Sequence, residues 1–370
     1  MRLIVLQETN WTFVFPESPY ESFRDSALVF FTYFTPVIVA IGLFGNIVSL
    51  IVFLSARIRK TSASVYLASL AIADTSVLVF YVVPDWVNRS LKIISPSARY
   101  SFWDLDGICH VRLYLGYVSR LIASWVIVSF TYERFVGVCY PLQTLQRHPK
   151  RVLVIACVFY SVLLMYVPFL SESHTYNGGV IKCSYKLEYR NMTFTLDSIF
   201  MCLSFVLPVV LITLLNVLII RTLYIRNEVG MAFSKARTTP MVFTLILFAI
   251  SFFYIVFHLP YCVAWIRLQT VINPFTFHFD LDFWNYWDAI MLIVKPIYFT
   301  NYCSNFFLYC ITWSQFRSEL KTNMCSQMCV KIIRVNNDQS SADQDRPLEH
   351  KCLPTTSSAN TRQTECLKIN

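Results

Sequence analysis

The 27 residues from Leu28 to Leu54, LVFFTYFTPVIVAIGLFGNIVSLIVFL, contain no charged side chain. As a helix that rises about 1.5 Å per residue, this stretch is longer than the roughly 30 Å hydrocarbon core of a bilayer. Six further segments are long and mainly apolar, although the second of them contains four charged residues. They run over Val65–Pro84, Ile108–Cys139, Val152–Leu170, Ser198–Ile220, Met241–Ile266 and Ala289–Trp313. Together the seven segments predict an all-α fold, a bundle of seven membrane-spanning helices.

The composition of the whole chain agrees with this fold class. Of its 370 residues, 56% are hydrophobic and 14% are charged, whereas a soluble domain usually carries about 25% charged residues. This excludes a disordered chain, a collagen-like chain and an ordinary cytosolic enzyme. The sequence shows no nucleophile–base pair, metal-ligand set or phosphate loop, so we expect no enzymatic activity and no cofactor. The net charge is +9, but the basic residues form no stripe with interleaved aromatic residues. We therefore expect no nucleic-acid partner.

Basic residues are concentrated on one side of the predicted membrane. The links after spans 1, 3 and 5, counted together with Glu133 and Arg134 at the inner end of span 3, carry 11 basic and two acidic residues, whereas the N-terminal segment and the other links carry 9 basic and 13 acidic ones. Because loops rich in Lys and Arg stay cytoplasmic, we expect a multi-pass plasma-membrane protein with its N-terminus outside and its C-terminus inside. Three glycosylation sequons, at Asn10, Asn88 and Asn191, all lie on the predicted outer side.

Cysteines divide according to this topology. Cys109 and Cys183 lie on the predicted outer side, which is oxidising, so a disulfide between them is expected, with two free thiols as the alternative. Cys325 and Cys329 follow the last span within a basic and apolar stretch. We expect palmitoylation there, and unmodified cytosolic thiols are the alternative.

Polar motifs interrupt the apolar spans, where each polar group is costly unless it is paired. They are Gly45-Asn46, Leu70-Ala71-Ile72-Ala73-Asp74, Glu133-Arg134-Phe135, Pro208, His258-Leu259-Pro260, Asn305-Phe306-Phe307-Leu308-Tyr309 and Phe316-Arg317. In this order and spacing, over residues 28 to about 322, the chain resembles a rhodopsin-like (class A) G-protein-coupled receptor. Within that family it is similar to invertebrate neuropeptide receptors of the FMRFamide and thyrotropin-releasing-hormone receptor-like kind.

The resemblance implies how ligand binding is transmitted to the cytoplasmic side. A carboxylate at Glu133 holds Arg134 in the resting state, and the released Arg134 meets the C-terminal helix of a G-protein α subunit in a groove. Pro260 interrupts the helix of span 6 and lets its inner end swing outward. The other residues expected to take part in coupling or activation are Asn46, Asp74, Phe135, Asn301, Asn305 and Tyr309.

The chain departs from the family pattern at several positions. Phe306 stands where the family has Pro, His258 stands where it has Trp, and Ala123 replaces a Ser of the family's sodium site. These departures argue against a sodium ion near Asp74, and we expect no other metal site.

The ligand site is expected in the outer half of the bundle. Arg120 lies 11 residues inside Cys109, or roughly 16 Å along a helix, and Lys295 lies in the outer part of span 7. Two buried cations in an otherwise uncharged cavity favour a ligand with an anion or a set of carbonyls, and pairing with an internal carboxylate is the alternative. Gly116 replaces the Asp of biogenic-amine receptors, which argues against an amine. Further expected contacts are Tyr117, His258, Tyr261 and Trp265, with core packing as the alternative, and Arg112 and Asp85 near the rim.

These observations predict a receptor for an extracellular neuropeptide that activates heterotrimeric G proteins by outward movement of span 6. A receptor of the same fold for a lipid or small anionic ligand is the alternative, and a transporter or channel is a more distant one. We expect an extracellular segment (1–27), the bundle (28–313), a membrane-surface helix with the palmitoylation region (314–333) and a disordered tail (334–370). Serines and threonines in the tail, once phosphorylated, would bind arrestin.

Overall fold

The structure is a computed structural model that describes residues 19–95, 97–98, 101–140, 149–176, 180–228, 238–272 and 281–322. The first half contains α1 (Glu21–Phe53), α2 (Ser62–Val77), a π-helical turn (Leu78–Val82), α3 (Val83–Ile94), a 3-10 turn (Phe102–Asp104) and α4 (Ile108–Cys139). The middle contains α5 (Pro149–Leu163), α6 (Tyr166–Leu170), the strands β1 (Ser171–Tyr176) and β2 (Val180–Tyr185), and a 3-10 turn (Leu187–Tyr189). The last part contains α7 (Arg190–Met201), a second π-helical turn (Cys202–Val206), α8 (Leu207–Glu228), α9 (Thr238–Ile272) and α10 (Leu281–Thr312). Residues 314–322 are also helical.

The helices match the predicted spans in order. Spans 2, 4 and 5 are each built from two helices, α2–α3, α5–α6 and α7–α8, and the other spans are single helices. Six helical segments among the described residues are long and apolar enough to cross a membrane. The seventh, α10, is 32 residues long but more polar, and it packs against α1 and α9.

The helices extend beyond the predicted spans on the predicted outer side. Helix α1 begins at Glu21 rather than Leu28, and α10 begins at Leu281 rather than Ala289. The added turns carry charged residues that a search for apolar runs excludes, among them Arg24 and Asp288. These two side chains form an ion pair with each other, so charge pairing contributes to holding the extra turns together.

Close packing between α1 and α10 involves the residue that replaces the family's proline. A Cβ atom added at Gly45 would lie 2.9 Å from Cβ of Phe306. Since real Cβ contacts are longer, glycine is needed there for Phe306 to fit. Helix α10 is continuous through Phe306, and the proline within it is Pro296.

A two-stranded hairpin covers the outer end of α4. Strands β1 and β2 are antiparallel, and Ser173 is opposite Cys183. Cys183 is disulfide-bonded to Cys109 in the first turn of α4, which confirms the predicted bridge. The hairpin is therefore covalently tied to α4, which carries more of the predicted site residues than any other helix.

Candidate ligand and coupling sites

A cavity of about 220 Å³ opens in the outer half of the bundle. Of the nine predicted ligand residues, seven line it: Asp85, Arg112, Gly116, Tyr117, Arg120, Tyr261 and Trp265. Two do not. His258 lines a smaller cavity of about 10 Å³ below it, and the amine of Lys295 points to a carboxylate instead. The sequence therefore located the cavity but not its whole lining.

Arg120 forms part of the cavity and is 8% exposed. Its guanidinium carbon lies 4.0 Å from the ring centre of Tyr81, 4.6 Å from that of Tyr117 and 4.7 Å from that of Phe200. Its Nε donates a hydrogen bond to the carbonyl oxygen of Gly116, at 3.1 Å. Aromatic faces attract a cation, so the three rings offset part of the cost of burying this charge.

Close packing also accounts for the glycine one turn above Arg120. A Cβ atom added at Gly116 would lie 3.1 Å from the carbonyl oxygen of Phe80. A side chain there would crowd the backbone of the π-helical turn at Phe80.

Asp197 lines the same cavity, and the sequence analysis missed it. Its carboxylate accepts a hydrogen bond from the Tyr117 hydroxyl at 2.7 Å and one from the Tyr185 hydroxyl at 3.4 Å. Burial raises the pKa of Tyr185 well above its usual value, and the nearby Asp197 charge raises it further, so this hydroxyl stays a donor. Among the described residues, neither Asp197 nor Arg120 forms a direct ion pair.

Lys295 is part of an ion-pair network on the outer side of the bundle. Its Nζ lies 2.8 Å and 3.0 Å from the two carboxylate oxygens of Asp85. Arg89 lies 3.1 Å from Asp85 and 3.3 Å from Asp288, and Arg24 lies 2.9 Å from Asp288. The expectation of two cations in an otherwise uncharged cavity is therefore wrong, because Asp85 neutralises Lys295 and Asp197 adds a second carboxylate.

A buried carboxylate holds the rim of the cavity together. Asp104 accepts hydrogen bonds from the Asn88 amide at 2.8 Å, the Ser101 hydroxyl at 3.0 Å and the Cys183 backbone N–H at 3.2 Å. Arg112 lies 3.7 Å from the same carboxylate. Asp104 therefore links α3, α4 and the hairpin.

The hydrogen bonds of Asp104 involve one of the three predicted glycosylation sequons, the one at Asn88. The amide nitrogen of Asn88, the atom that a glycan would occupy, is engaged by Asp104, and Ser90 of the same sequon is fully buried. Asn191 lies exposed in the first turn of α7, and Asn10 lies outside the described residues.

In the middle of the bundle, the predicted polar residues lie close together. Asn305 donates a hydrogen bond to the Asp74 carboxylate at 2.7 Å. Asn46 donates to the backbone carbonyl of Tyr302 at 2.8 Å, which joins α1 to α10, and Asn301 is buried nearby on α10. Among the described residues no group of three or more His, Cys, Asp or Glu side chains has a metal-binding arrangement.

At the inner end of α4, Glu133 and Arg134 form the expected local ion pair. Nη2 of Arg134 lies 3.2 Å from Oε1 of Glu133 and 3.3 Å from the Ser62 hydroxyl. The Ser62 hydroxyl in turn donates to Glu133. Ser62 in the first turn of α2 was not predicted, and it ties the pair to a second helix.

The remaining predicted coupling residues lie on several elements. Phe135 contacts the ring of Tyr140, Pro260 lies inside α9, and Tyr309 is buried against Phe53. Cys325, Cys329 and the tail with its predicted phosphorylation sites lie outside the described residues.

Comparisons with known proteins give the chain its family. Residues 45–309 match the family of the 7 transmembrane receptor (rhodopsin family). The thyrotropin-releasing hormone receptor of Gallus gallus is 31% identical over 200 residues, which cover 51% of this chain and 47% of that receptor. A probable G-protein coupled receptor of Caenorhabditis elegans, AH9.1, is 24% identical over 76% of this chain and 72% of its own length. Cysteinyl leukotriene receptor 1 of Sus scrofa is 24% identical over 77% of this chain and 82% of its own length.

The chain spans about half the length of the thyrotropin-releasing hormone receptors that it matches. The family match covers more than half of this chain and runs from Gly45, inside α1, to Tyr309, near the end of α10. The apolar helices and the family together indicate a multi-pass protein of the plasma membrane. This chain belongs to the rhodopsin family of seven-transmembrane receptors and is a signalling receptor rather than an enzyme.

Proposed function

We propose that the chain is a receptor for an extracellular peptide and that it activates heterotrimeric G proteins at the cytoplasmic ends of its helices. In this proposal the N-terminus is outside and the hairpin with its disulfide borders the entrance for the ligand. The cavity of about 220 Å³ is smaller than typical small-molecule sites of about 300–1,000 Å³. It therefore suits one end of a longer ligand.

The observation that carries the proposal is the pair of opposite charges in one cavity. Arg120 offers donors and Asp197 offers acceptors, and they do not neutralise each other directly. A peptide carries carbonyl oxygens and N–H groups side by side and satisfies both. A simple anion satisfies Arg120 but is repelled by Asp197, so the cavity favours a peptide over the anionic alternative.

The names of the relatives suggest two different classes of ligand. Thyrotropin-releasing hormone receptors are named for a hormone, and cysteinyl leukotriene receptor 1 is named for a leukotriene. The match to the leukotriene receptor covers more of this chain, whereas the match to the hormone receptors is closer in identity. The second acidic group in the cavity, Asp197, supports a peptide as the ligand.

The inner end of the bundle supports coupling to a G protein. Arg134 is held by Glu133 and Ser62, which is the arrangement expected of a resting receptor. Pro260 removes a backbone donor within α9 and so provides the point about which its inner end would move. Opening there would free Arg134 for the C-terminal helix of a G-protein α subunit, an amphipathic helix bound in a groove.

The first test measures calcium release in cells that express the chain with a promiscuous G-protein α subunit. The cells receive fractionated extract of animal neural tissue, either intact or digested with protease. We expect a response that digestion abolishes. A response that survives digestion would support the lipid or small-anion alternative instead.

Asp197→Asn separates the two ligand classes. Hydrogen bonds to charged groups contribute about 1.5–3 kcal/mol, so a peptide should lose about tenfold or more in potency. A small anion should keep or gain potency, because a repulsive charge is removed. Glu188→Gln, which removes an exposed acid from the neighbouring 3-10 turn, is the control and should leave potency unchanged.

Arg134→Ala tests the coupling half of the proposal. We expect nucleotide exchange on the G protein to be lost while surface expression and ligand binding remain. Normal exchange in this variant would contradict the proposed role of Arg134.

A further inference from the structure

The inner end of α9 lacks the charge needed to pair with Arg134. From Thr238 to Ile272 the helix contains no Asp or Glu. An ion pair between Arg134 and this helix is therefore impossible. Something else must keep α9 next to α4 in the arrangement observed.

Phe243 of α9 lies beside the guanidinium of Arg134. Its ring centre lies 5.5 Å from the guanidinium carbon of Arg134, and the residue is 4% exposed. Phe130 of α4 lies 5.4 Å from the same carbon. A ring this close attracts the cation through its face, so Phe243 contributes an attraction between α9 and α4 without carrying a charge.

Phe243 also joins α9 to the end of α10. Its ring packs edge-on against Trp313, with ring centres 4.9 Å apart. Trp313 is itself buried and stacks on Phe53 at 6.0 Å and on Phe316 at 6.3 Å. We call these four rings, Phe53, Phe243, Trp313 and Phe316, the inner aromatic cluster.

Within this cluster Phe243 is the member contributed by α9. Phe53 ends α1, and Trp313 and Phe316 follow or lie beyond the end of α10. Outward movement of the inner end of α9 must therefore separate Phe243 from Trp313 and from Arg134 at the same time. Opening therefore loses two contacts, and the side chain of Phe243 makes both of them.

We infer that Phe243 is a positioning residue that holds Arg134 and the inner end of α9 in the resting arrangement, in place of an ion pair between α4 and α9. The inference rests on the proposed coupling to G proteins. In this inference, an aromatic contact keeps the basal activity of the unliganded receptor low.

The test uses the full-length receptor in lipid nanodiscs without ligand, and it measures basal nucleotide exchange on a promiscuous G-protein α subunit. For Phe243→Ala we expect basal exchange to rise about two- to thirteenfold, which corresponds to the 0.5–1.5 kcal/mol of one aromatic pair. Phe243→Tyr keeps the ring and should stay at the wild-type level. Phe243→Leu keeps apolar volume and should rise like alanine, which covers the case that the alanine variant folds poorly.

Phe252→Ala is the matched control. Phe252 is on the same helix but 61% exposed to the surroundings of the bundle, and its loss should leave basal exchange unchanged. Trp313→Ala should raise exchange, and its combination with Phe243→Ala should give less than the product of the two effects, because both remove one shared contact. Equal rises in the control and in Phe243→Ala, or a fully multiplicative double variant, would overturn the inference.

A second readout separates this inference from the coupling proposal. A fluorine-19 probe in place of Leu245, which is exposed on α9, reports the position of the helix without any G protein. If Phe243→Ala shifts the probe toward an open state but exchange does not rise, the positioning role stands and the coupling proposal fails. If the probe does not shift, the positioning role is refuted whatever the exchange assay gives.

Discussion

Lys295 provides the sharpest test of how the outer charges are arranged. The structure pairs its amine with both oxygens of Asp85, and Asp85 is also held by Arg89 at 3.1 Å. The network therefore has more cations than acids around Asp85. Lys295→Met removes one of two cations and leaves Asp85 paired, whereas Asp85→Asn leaves Lys295 and Arg89 facing each other without a carboxylate between them.

The expected magnitudes follow from this difference. Removing one partner of a buried ion pair costs about 3–5 kcal/mol when the other charge is left unpaired. Asp85→Asn meets that condition and should destabilise by about this amount. Lys295→Met does not, because Arg89 still compensates Asp85, so we expect a loss of only about 1–2 kcal/mol of stability, within the range usual for single substitutions.

In the double variant, the effect of Lys295→Met on stability is expected to change sign. In the Asp85→Asn background, Lys295 is a buried cation without an acid, and removing it relieves that cost. Lys295→Met should therefore destabilise the wild-type receptor but stabilise the Asp85→Asn variant. A purely local packing effect of the lysine side chain would have the same sign in both backgrounds.

Thermal unfolding of the purified receptor in detergent measures all four proteins. For a chain of 370 residues 1 kcal/mol corresponds to roughly 1–2 °C in Tm, so the predicted order of the four proteins is resolved. Lys150→Met removes an exposed lysine at the start of α5 and should leave Tm unchanged. If Lys295→Met abolishes the response to ligand while Tm is unaffected, Lys295 contacts the ligand directly and the pairing argument is refuted.

Three further substitutions test other parts of the structure. Gly45→Ala should lower stability by about 1–3 kcal/mol, seen as a lower Tm, because the new methyl group meets Phe306; an unchanged Tm would contradict the close packing. Asp104→Ala should destabilise the fold by about 2–3 kcal/mol, since several buried donors lose their acceptor, and this should be seen as a lower Tm and a lower surface level; a normal Tm would show that water replaces the carboxylate. Glu133→Gln should raise basal nucleotide exchange several-fold by weakening the hold on Arg134, and lower exchange would reverse the assigned role.

Much of the fold was predictable because the membrane imposes simple rules. Apolar length located the spans, and the oxidising outer side identified Cys109 and Cys183 as partners, which the structure confirms. The neighbours Glu133 and Arg134 were expected to pair because they are adjacent in sequence, and they do. These predictions needed only local sequence or a compartment argument.

The partner of Lys295 required information that the sequence does not carry. Asp85 lies 210 residues away along the chain, and only the packing of α3 against the rest of the bundle brings them together. Both residues were identified as candidates for the site. Their mutual contact, which decides that neither is a free charge, depends on the tertiary structure.

Asp197 was missed for a different reason. The predicted span began at Ser198, whereas the helix begins at Arg190, so Asp197 was assigned to a loop. Residues three and four positions apart share a helix face, and Phe200 and Met201 bear that relation to Asp197. Extending the helix through its polar first turns would have placed the carboxylate on the cavity side with them.

The state of each charge separates structural residues from ligand-binding ones. Lys295, Asp85 and Arg89 satisfy one another, so the fold alone explains why they are charged. Arg120 is buried with one backbone acceptor and three aromatic rings, and a well-packed apolar side chain would serve stability better. The rings and the carbonyl offset only part of the cost of burying this charge, and a residue that breaks the rules of stable packing in this way is expected at a functional site. On this ground we propose Arg120 and Asp197, rather than the more strongly paired Lys295, as the residues whose charges bind a ligand.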